Sequence, residues 1–396
     1  MRTRTGLERL CQEPARYPLG KRLGLLANPA SVDSRLRHAR DLIKEHFPGR
    51  ITALFSPQHG FYAEKQDNMK ESGHFQDPDL NVPVFSLYGR TRVPTPEMMA
   101  AIDSLLVDLQ DAGTRVYTFI YTMAYCMEAA KQHGVQVIVL DRPNPVGGTI
   151  LEGNLLNPEF ASFVGRFSIP MRHGLTIGEL ALLFNDHFGI GCDLVVVPMD
   201  NWQRRLFFDQ TGLPWVMPSP NLPTPASALV YPGQVLWEGT NISEGRGTTR
   251  PFEIFGAPFI DPRLVRADLD AEAVAGCILR PVVFEPTSNK WAGQSCRGFQ
   301  IHPVDPARFR PLTTSLALLQ SIRGRYPDQF SWSPPPYEYE YQKLPIDLIL
   351  GSGDVRRRLE GPEPVGALVR SWQNDLERFK TVSEKYHLYP SKKAAA

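Results

Sequence analysis

Short apolar runs of strand length alternate with segments of helical periodicity through the first half of this chain, and that alternation leaves few folds open to it. Strands are expected near 22–27, 51–55, 105–109, 135–140 and 193–197, with helices near 34–46, 96–103, 118–133 and 176–188. Strands joined through helices pair in parallel, so a mostly parallel sheet covered on both faces follows, an α/β fold of Rossmann-like type. The helix from Thr118 spaces apolar residues at Phe119, Met123, Cys126, Met127 and Ala130, then stops at Gly134, which suits a left-handed cap. Its methionines and aromatics read as core.

Four of the strands end abruptly in polar residues. Asn28 and Ser31 follow the first, Ser56, Gln58 and His59 the second, Gln110, Asp111 and Arg115 the third, and Asp141, Arg142 and Asn144 the fourth. In open α/β sheets ligands bind beyond the carboxyl ends of the strands, so such a gathering points to an enzyme or a small-ligand binder. From 199 to about 260 the pattern breaks into a proline- and glycine-rich stretch that is too apolar for a linker. Long stretches of this kind in compact proteins tend to be functional loops. The 36 prolines argue for fixed loops rather than disorder, because apolar residues still make up 42% of the chain. Farther on, 281–285 and 297–302 read as strands and 312–325 and 364–380 as helices. They suggest a smaller α+β domain over 261–396 after a Rossmann-like domain over 1–260.

Several classes of function are disfavoured. With 43 basic and 42 acidic side chains, nothing suggests nucleic acid or an anionic membrane as partner. There is no apolar run of about 18 residues and no signal-peptide pattern at the start, so a cytoplasmic location is expected. Five cysteines without CxxC spacing read as reduced thiols and not as a zinc site. The turn after the first strand, ANPASVD, lacks the glycines that a dinucleotide needs, and GxxxxGK[ST] and GxSxG are absent. His59, His173 and His302 lack metal-site spacing. Neither a cofactor nor a metal is expected.

Carboxylates are the stronger lead. SPQHGFYAEKQDNMKES places Glu64, Asp67 and Glu71 in a polar loop past the second strand, where each also reads as a solvated charge. Asp108 and Asp111 at the end of a buried strand must be hydrogen-bonded or ion-paired, as part of a site or by pairing with Arg115 or capping a helix. Asp141 and Arg142 in LDRPNP carry the same two readings. The segment EGTNISEGRGTTRPFE concentrates Glu238, Asn241, Ser243, Glu244, Arg246, Thr248, Thr249, Arg250 and Glu253, a density suited to polyol or anion recognition. Trp215, Tyr231 and Trp237 flank it, to stack on a sugar or simply to pack.

The blocks SPQHGF, SLYG, DLQDAGTRVYTFIYTM, LDRPNPVGG, FVGRFSIPMRHGLTIGELA, PWVMPSPNLPT and EGTNISEGRGTTRPFEIFGAPF resemble, in order and over nearly the whole chain, those of the NamZ-type exo-β-N-acetylmuramidases of peptidoglycan turnover. The resemblance implies a Rossmann-like domain, a smaller α/β domain and a cleft between them. It also implies hydrolysis of terminal N-acetylmuramic acid from cell-wall fragments, with a small carbohydrate as substrate. Glycoside hydrolysis commonly needs two carboxyl groups. The substrate's lactyl carboxylate suits a bidentate arginine, for which Arg115, Arg142, Arg172, Arg246 and Arg250 are candidates. Tyr117, Asp141, Asn144, His173, Asn221 and Asn241 are further candidate substrate contacts from the same blocks.

One position departs from the family pattern. The family usually reads PEHG, its Glu regarded as a catalytic acid, whereas this chain has Gln58, and an amide cannot act as a general acid. The roles expected are Glu64 or Asp67 as replacement acid, Asp111 or Glu244 as second carboxylate, His59 as orienting hydrogen-bonder and Arg246 as anion binder. The alternatives are that Gln58 merely positions substrate while other residues catalyse, or that the chain is a non-catalytic muropeptide-binding protein that lost its acid at Gln58.

Overall fold

A computed structural model describes residues 2–66 and 69–391. The strands of its first half are β1 (Leu23–Ala27), β2 (Ile51–Ser56), β3 (Phe75–Gln76), β4 (Pro83–Ser86), β5 (Ser104–Asp108), β6 (Gln136–Leu140), β7 (Glu152–Leu155), β8 (Pro170–Arg172) and β9 (Leu194–Val197). Seven of them form one sheet in the order β3-β4-β2-β1-β5-β6-β9, parallel except for the short β3. All residues of β1 and β5 are buried, as expected of parallel strands covered on both faces. β7 and β8 make a separate antiparallel pair.

β1 is flanked by β2 on one side and β5 on the other, so connections leave in opposite directions there and a crevice opens beyond the strand ends. Helix Phe119–His133 follows the β5 loop and ends on Gly134 at φ +65°, as the sequence suggests. The helix expected over 34–46 begins only at Ala39. Asp33 prevents an earlier start, because its Oδ1 accepts the amides of Arg35 and Arg37 and holds a turn in which Leu36 has φ +64°.

The second, three-stranded sheet is antiparallel, with β12 (Cys296–Pro303) between β10 (Ile254–Ala257) and β11 (Cys277–Phe284). β10 thus belongs to the smaller sheet although it lies ahead of position 260, where the sequence suggests a boundary. The helix expected over 364–380 is two helices, Val365–Arg370 and Gln373–Ser383. Helix Pro225–Gln234 packs on helix Pro311–Arg325 so closely that a Cβ on Gly233 would lie 1.9 Å from the Pro311 carbonyl oxygen. One buried cluster runs from Leu26 and Val107 of the large sheet through Trp237 to Phe299 and Phe379, joining both halves in a single core. No helix among the described residues is long and apolar enough to cross a membrane.

Candidate active site

Beyond the carboxyl ends of β2 and β5 lies a pocket of about 460 Å³ including its mouth, walled by both halves of the chain. The turn after β2 supplies Gln58 and His59, and the β5 loop supplies Tyr117 and Thr118. The 199–260 stretch adds Ser219, Asn221, Tyr231, Glu238, Arg246 and Phe252, while Tyr337 and Glu338 come from the C-terminal half. Glu338 and Tyr339 have φ of +45° and +69°, the left-handed region that non-glycine residues avoid, and such strain clusters at functional sites.

Two carboxyl groups face this pocket in opposite settings. Glu238 is paired through Oε1 with Arg246 Nη2 at 2.6 Å and accepts the Tyr337 hydroxyl on Oε2 at 2.5 Å. Glu338 has no cation in ion-pair contact among the described residues. Its Oε1 accepts Gln58 Nε2 at 3.1 Å and its Oε2 the Tyr88 hydroxyl at 2.7 Å. Burial raises the Glu338 carboxyl above its ordinary value; the Tyr88 bond opposes this, and the charge of Glu238 adds to it. One acid is thereby held by a cation while its neighbour favours its proton, the arrangement by which paired carboxyl groups take different roles.

Arg246 stands between two acids, since its Nε also meets Glu244 at 3.1 Å. Burial works against its charge, but Glu238 and Glu244 outweigh burial and hold it protonated. Its Nη1 is buried without a hydrogen-bond partner, which leaves a donor for a ligand. Gly245, at φ +80°, makes the turn between Glu244 and Arg246 possible, because a Cβ there would come within 2.4 Å of the Ile254 carbonyl oxygen. His59 bonds the Lys65 carbonyl through Nδ1 at 2.7 Å. That carbonyl can only accept, so Nδ1 carries the proton and Nε2 is left as an acceptor. Burial first, and then Arg246, lower the His59 pKa to about 4 and keep the ring neutral.

Of the residues expected at the site, the pocket brings together Gln58, His59, Tyr117, Asn221 and Arg246. Asp67 lies outside the described residues. Glu64 is exposed and absent from the pocket wall. Asp111 is buried behind the site, where its Oδ2 accepts the Gly113 amide at 2.7 Å and lies 3.4 Å from His173 Nε2. Glu244 backs Arg246 without lining the pocket and pairs with Lys290 at 2.9 Å. Burial, which would raise Glu244, is outweighed by Lys290 and Arg246, so it is held below the usual carboxyl value.

The other expected contacts have partners away from the pocket wall. Arg115 gives its guanidinium to the carbonyls of Asn154, Ile169, Ile349 and Leu350. Arg142 forms a buried pair with Asp108 at 2.5 Å. Asp141 accepts the Gly178 amide and the Thr176 and Tyr389 hydroxyls, anchoring helix Ile177–Asn185 and the chain's end. Asn144 ties the Leu175 carbonyl to the Val146 amide, and Asn241 binds backbone of Gln329 and Ser331. Arg250 is half-exposed beside Glu253, and Arg172 bonds the Val146 carbonyl. Trp215 and Trp237 pack, against Phe208 and Phe255, whereas Tyr231 reaches the pocket.

The sequence reading missed Glu338 and gave Glu238 no catalytic role. Both stand beside aromatic residues, in LWEG and in PPPYEYEY, an acid among ring side chains being the one local sign they carry.

Two family models match nearly the whole chain: the N-terminal part of exo-β-N-acetylmuramidase NamZ over residues 23–226 and its C-terminal part over 229–389. The peptidoglycan β-N-acetylmuramidase NamZ of Bacillus subtilis is 44% identical over 388 residues, covering 98% of this chain and 92% of that protein. Two crystal structures of DUF1343-family proteins from Bacteroides fragilis share the fold. The first has a TM-score of 0.87 at 35% identity, with 98% of this chain and 99% of the other covered. For the second the TM-score is 0.75 at 28% identity, with 99% and 100% covered. Sequence and fold agree, and the chain belongs to the NamZ family of exo-β-N-acetylmuramidases.

Proposed function

We propose that this protein is a glycosidase that releases terminal N-acetylmuramic acid from peptidoglycan fragments, using Glu338 as general acid and Glu238 as the second carboxylate. The observation that carries this reading is the pair itself, two carboxyl groups lining one pocket with different partners. Glu338 gives its proton to the leaving glycosidic oxygen as the bond to the anomeric carbon breaks. Glu238 offers negative charge to the positive carbon that develops, and water then supplies hydroxide to that carbon and a proton back to a carboxylate. Arg246 Nη1 is the donor we assign to the substrate's lactyl carboxylate, and neutral His59 accepts from a sugar hydroxyl.

The chain's similarity to the B. subtilis muramidase over nearly its full length supports the same reading. A binding protein without catalysis is the rival suggested by Gln58, but the Glu238 and Glu338 pair supplies the acids that rival lacks. The five free cysteines suit a reducing compartment, and the cytoplasm is our proposed place of action. The test is turnover of a chromogenic aryl β-N-acetylmuramide by pure protein. Release of the aryl group is expected, with the glucosamine analogue, which has no lactyl group, much poorer. No release from either sugar overturns the proposal.

A further inference from the structure

Thr118 immediately precedes helix Phe119–His133, yet its hydroxyl makes no cap to that helix. It donates instead to Gln58 Oε1 at 2.7 Å, which turns the other end of the amide, Nε2, toward Glu338. Gln58 is 5% exposed, and both ends of its side chain are engaged inside the pocket wall. Such a chain of donors serves no packing need that an apolar side chain would not meet. From this geometry we infer that Gln58 is a positioning residue, whose amide, oriented by Thr118, fixes the Glu338 carboxyl and keeps it the only carboxyl group at that junction.

An amide suits the task because it donates without carrying charge or a titrating proton of its own. A carboxyl group in its place, about 3 Å from Glu338, would share one proton with it, and the two would then titrate as a coupled pair. The groups facing Glu338 are Tyr88 and Arg92 from the loop after β4, Glu238 and Tyr231 across the pocket, and Tyr337 and Tyr339 beside it. His59 and Arg246 share the same hollow. None of the tyrosines titrates near neutral pH, burial being the largest influence that raises each of them. Gln58 therefore governs how far Glu338 is coupled to a second acid.

This inference rests on the proposed role of Glu338, so its test uses a readout that does not need turnover. Infrared difference spectra against Glu338→Gln follow the protonated carboxyl band of Glu338 with pH, in wild type, Gln58→Glu and Thr118→Val. In Gln58→Glu the band is expected to persist at least one pH unit higher, because the last shared proton leaves later. In Thr118→Val it is expected to move upward by less, since a freed amide is a poorer donor to the anion. The pH profile of kcat/KM should move with the band, and Gln58→Met should lose about tenfold in kcat with KM within about twofold. A folded Gln58→Glu whose band stays in place overturns the inference, and an unmoved band in Thr118→Val does so even if Gln58→Glu fails to fold. If the band moves while wild type leaves the aryl muramide intact, the proposed activity fails and the positioning role stands.

Discussion

At the scale of single residues, the site is an exercise in making two like groups unlike. Arg246 and the Tyr337 hydroxyl hold Glu238, while burial, and then the charge of Glu238, raise the Glu338 carboxyl above its ordinary value. Because Glu338 acts only when protonated, kcat/KM is expected to fall as pH rises through a value above the ordinary carboxyl range. Glu338→Gln should abolish that limb and lower kcat by about 10²–10⁴ for a natural leaving group, while an activated aryl leaving group loses much less. Glu238→Gln should lower kcat for both substrates alike. His59 makes a separate prediction about stability. Its folded pKa of about 4 lies below the unfolded value of about 6.5, so the stability it provides is complete above the latter and is lost as pH falls toward the former. The loss amounts to about 3 kcal/mol. Denaturant titrations at pH 7 and pH 4.5 should show this acid weakening reduced in His59→Asn, asparagine being a residue that tolerates the φ of +77° at this site. Equal weakening in both proteins would contradict it.

At the scale of elements, the longer strands and helices were legible because burial on both faces leaves continuous apolar runs and helix faces leave a regular spacing. β3, with two residues, and the β7–β8 pair are too short to leave any period, and tertiary contacts decide them. The strand-end rule pointed to Gln58 and His59, which line the pocket, but also to Asp141, Arg142 and Arg115, whose partners are backbone groups and neighbouring side chains away from it. Sequence cannot separate these cases, because a buried charge needs partners whether it serves chemistry or structure. Glu238 and Glu338 escaped for a different reason: neither follows a strand of the large sheet, and only the folded chain brings them together. Arg115 shows how costly the scaffold role is to disturb. It joins the β5 loop to the Ile349 and Leu350 carbonyls of helix Pro345–Leu350 and to the Asn154 and Ile169 carbonyls of the β7–β8 region. Arg115→Leu leaves these buried carbonyls without their donor and should therefore destabilise the protein by about 3 kcal/mol or more, read as a shift in urea midpoint. A variant as stable as wild type would show that those bonds carry little weight.

At the scale of the whole molecule, the catalytic proposal needs both halves, since Gln58 and Tyr88 come from one and Glu238 and Glu338 from the other. The two family models divide the chain near 226–229, yet one buried core runs across that division. Scanning calorimetry should accordingly show a single cooperative transition, and two well-separated transitions would contradict a shared core. The most direct test of the central claim is a crystal structure of Glu338→Gln with an intact aryl β-N-acetylmuramide bound. The account predicts the sugar in the pocket, its glycosidic oxygen within hydrogen-bond reach of residue 338, its anomeric carbon facing Glu238 and its lactyl carboxylate on Arg246. A sugar seated elsewhere, or one with neither carboxyl position near its glycosidic bond, would contradict it.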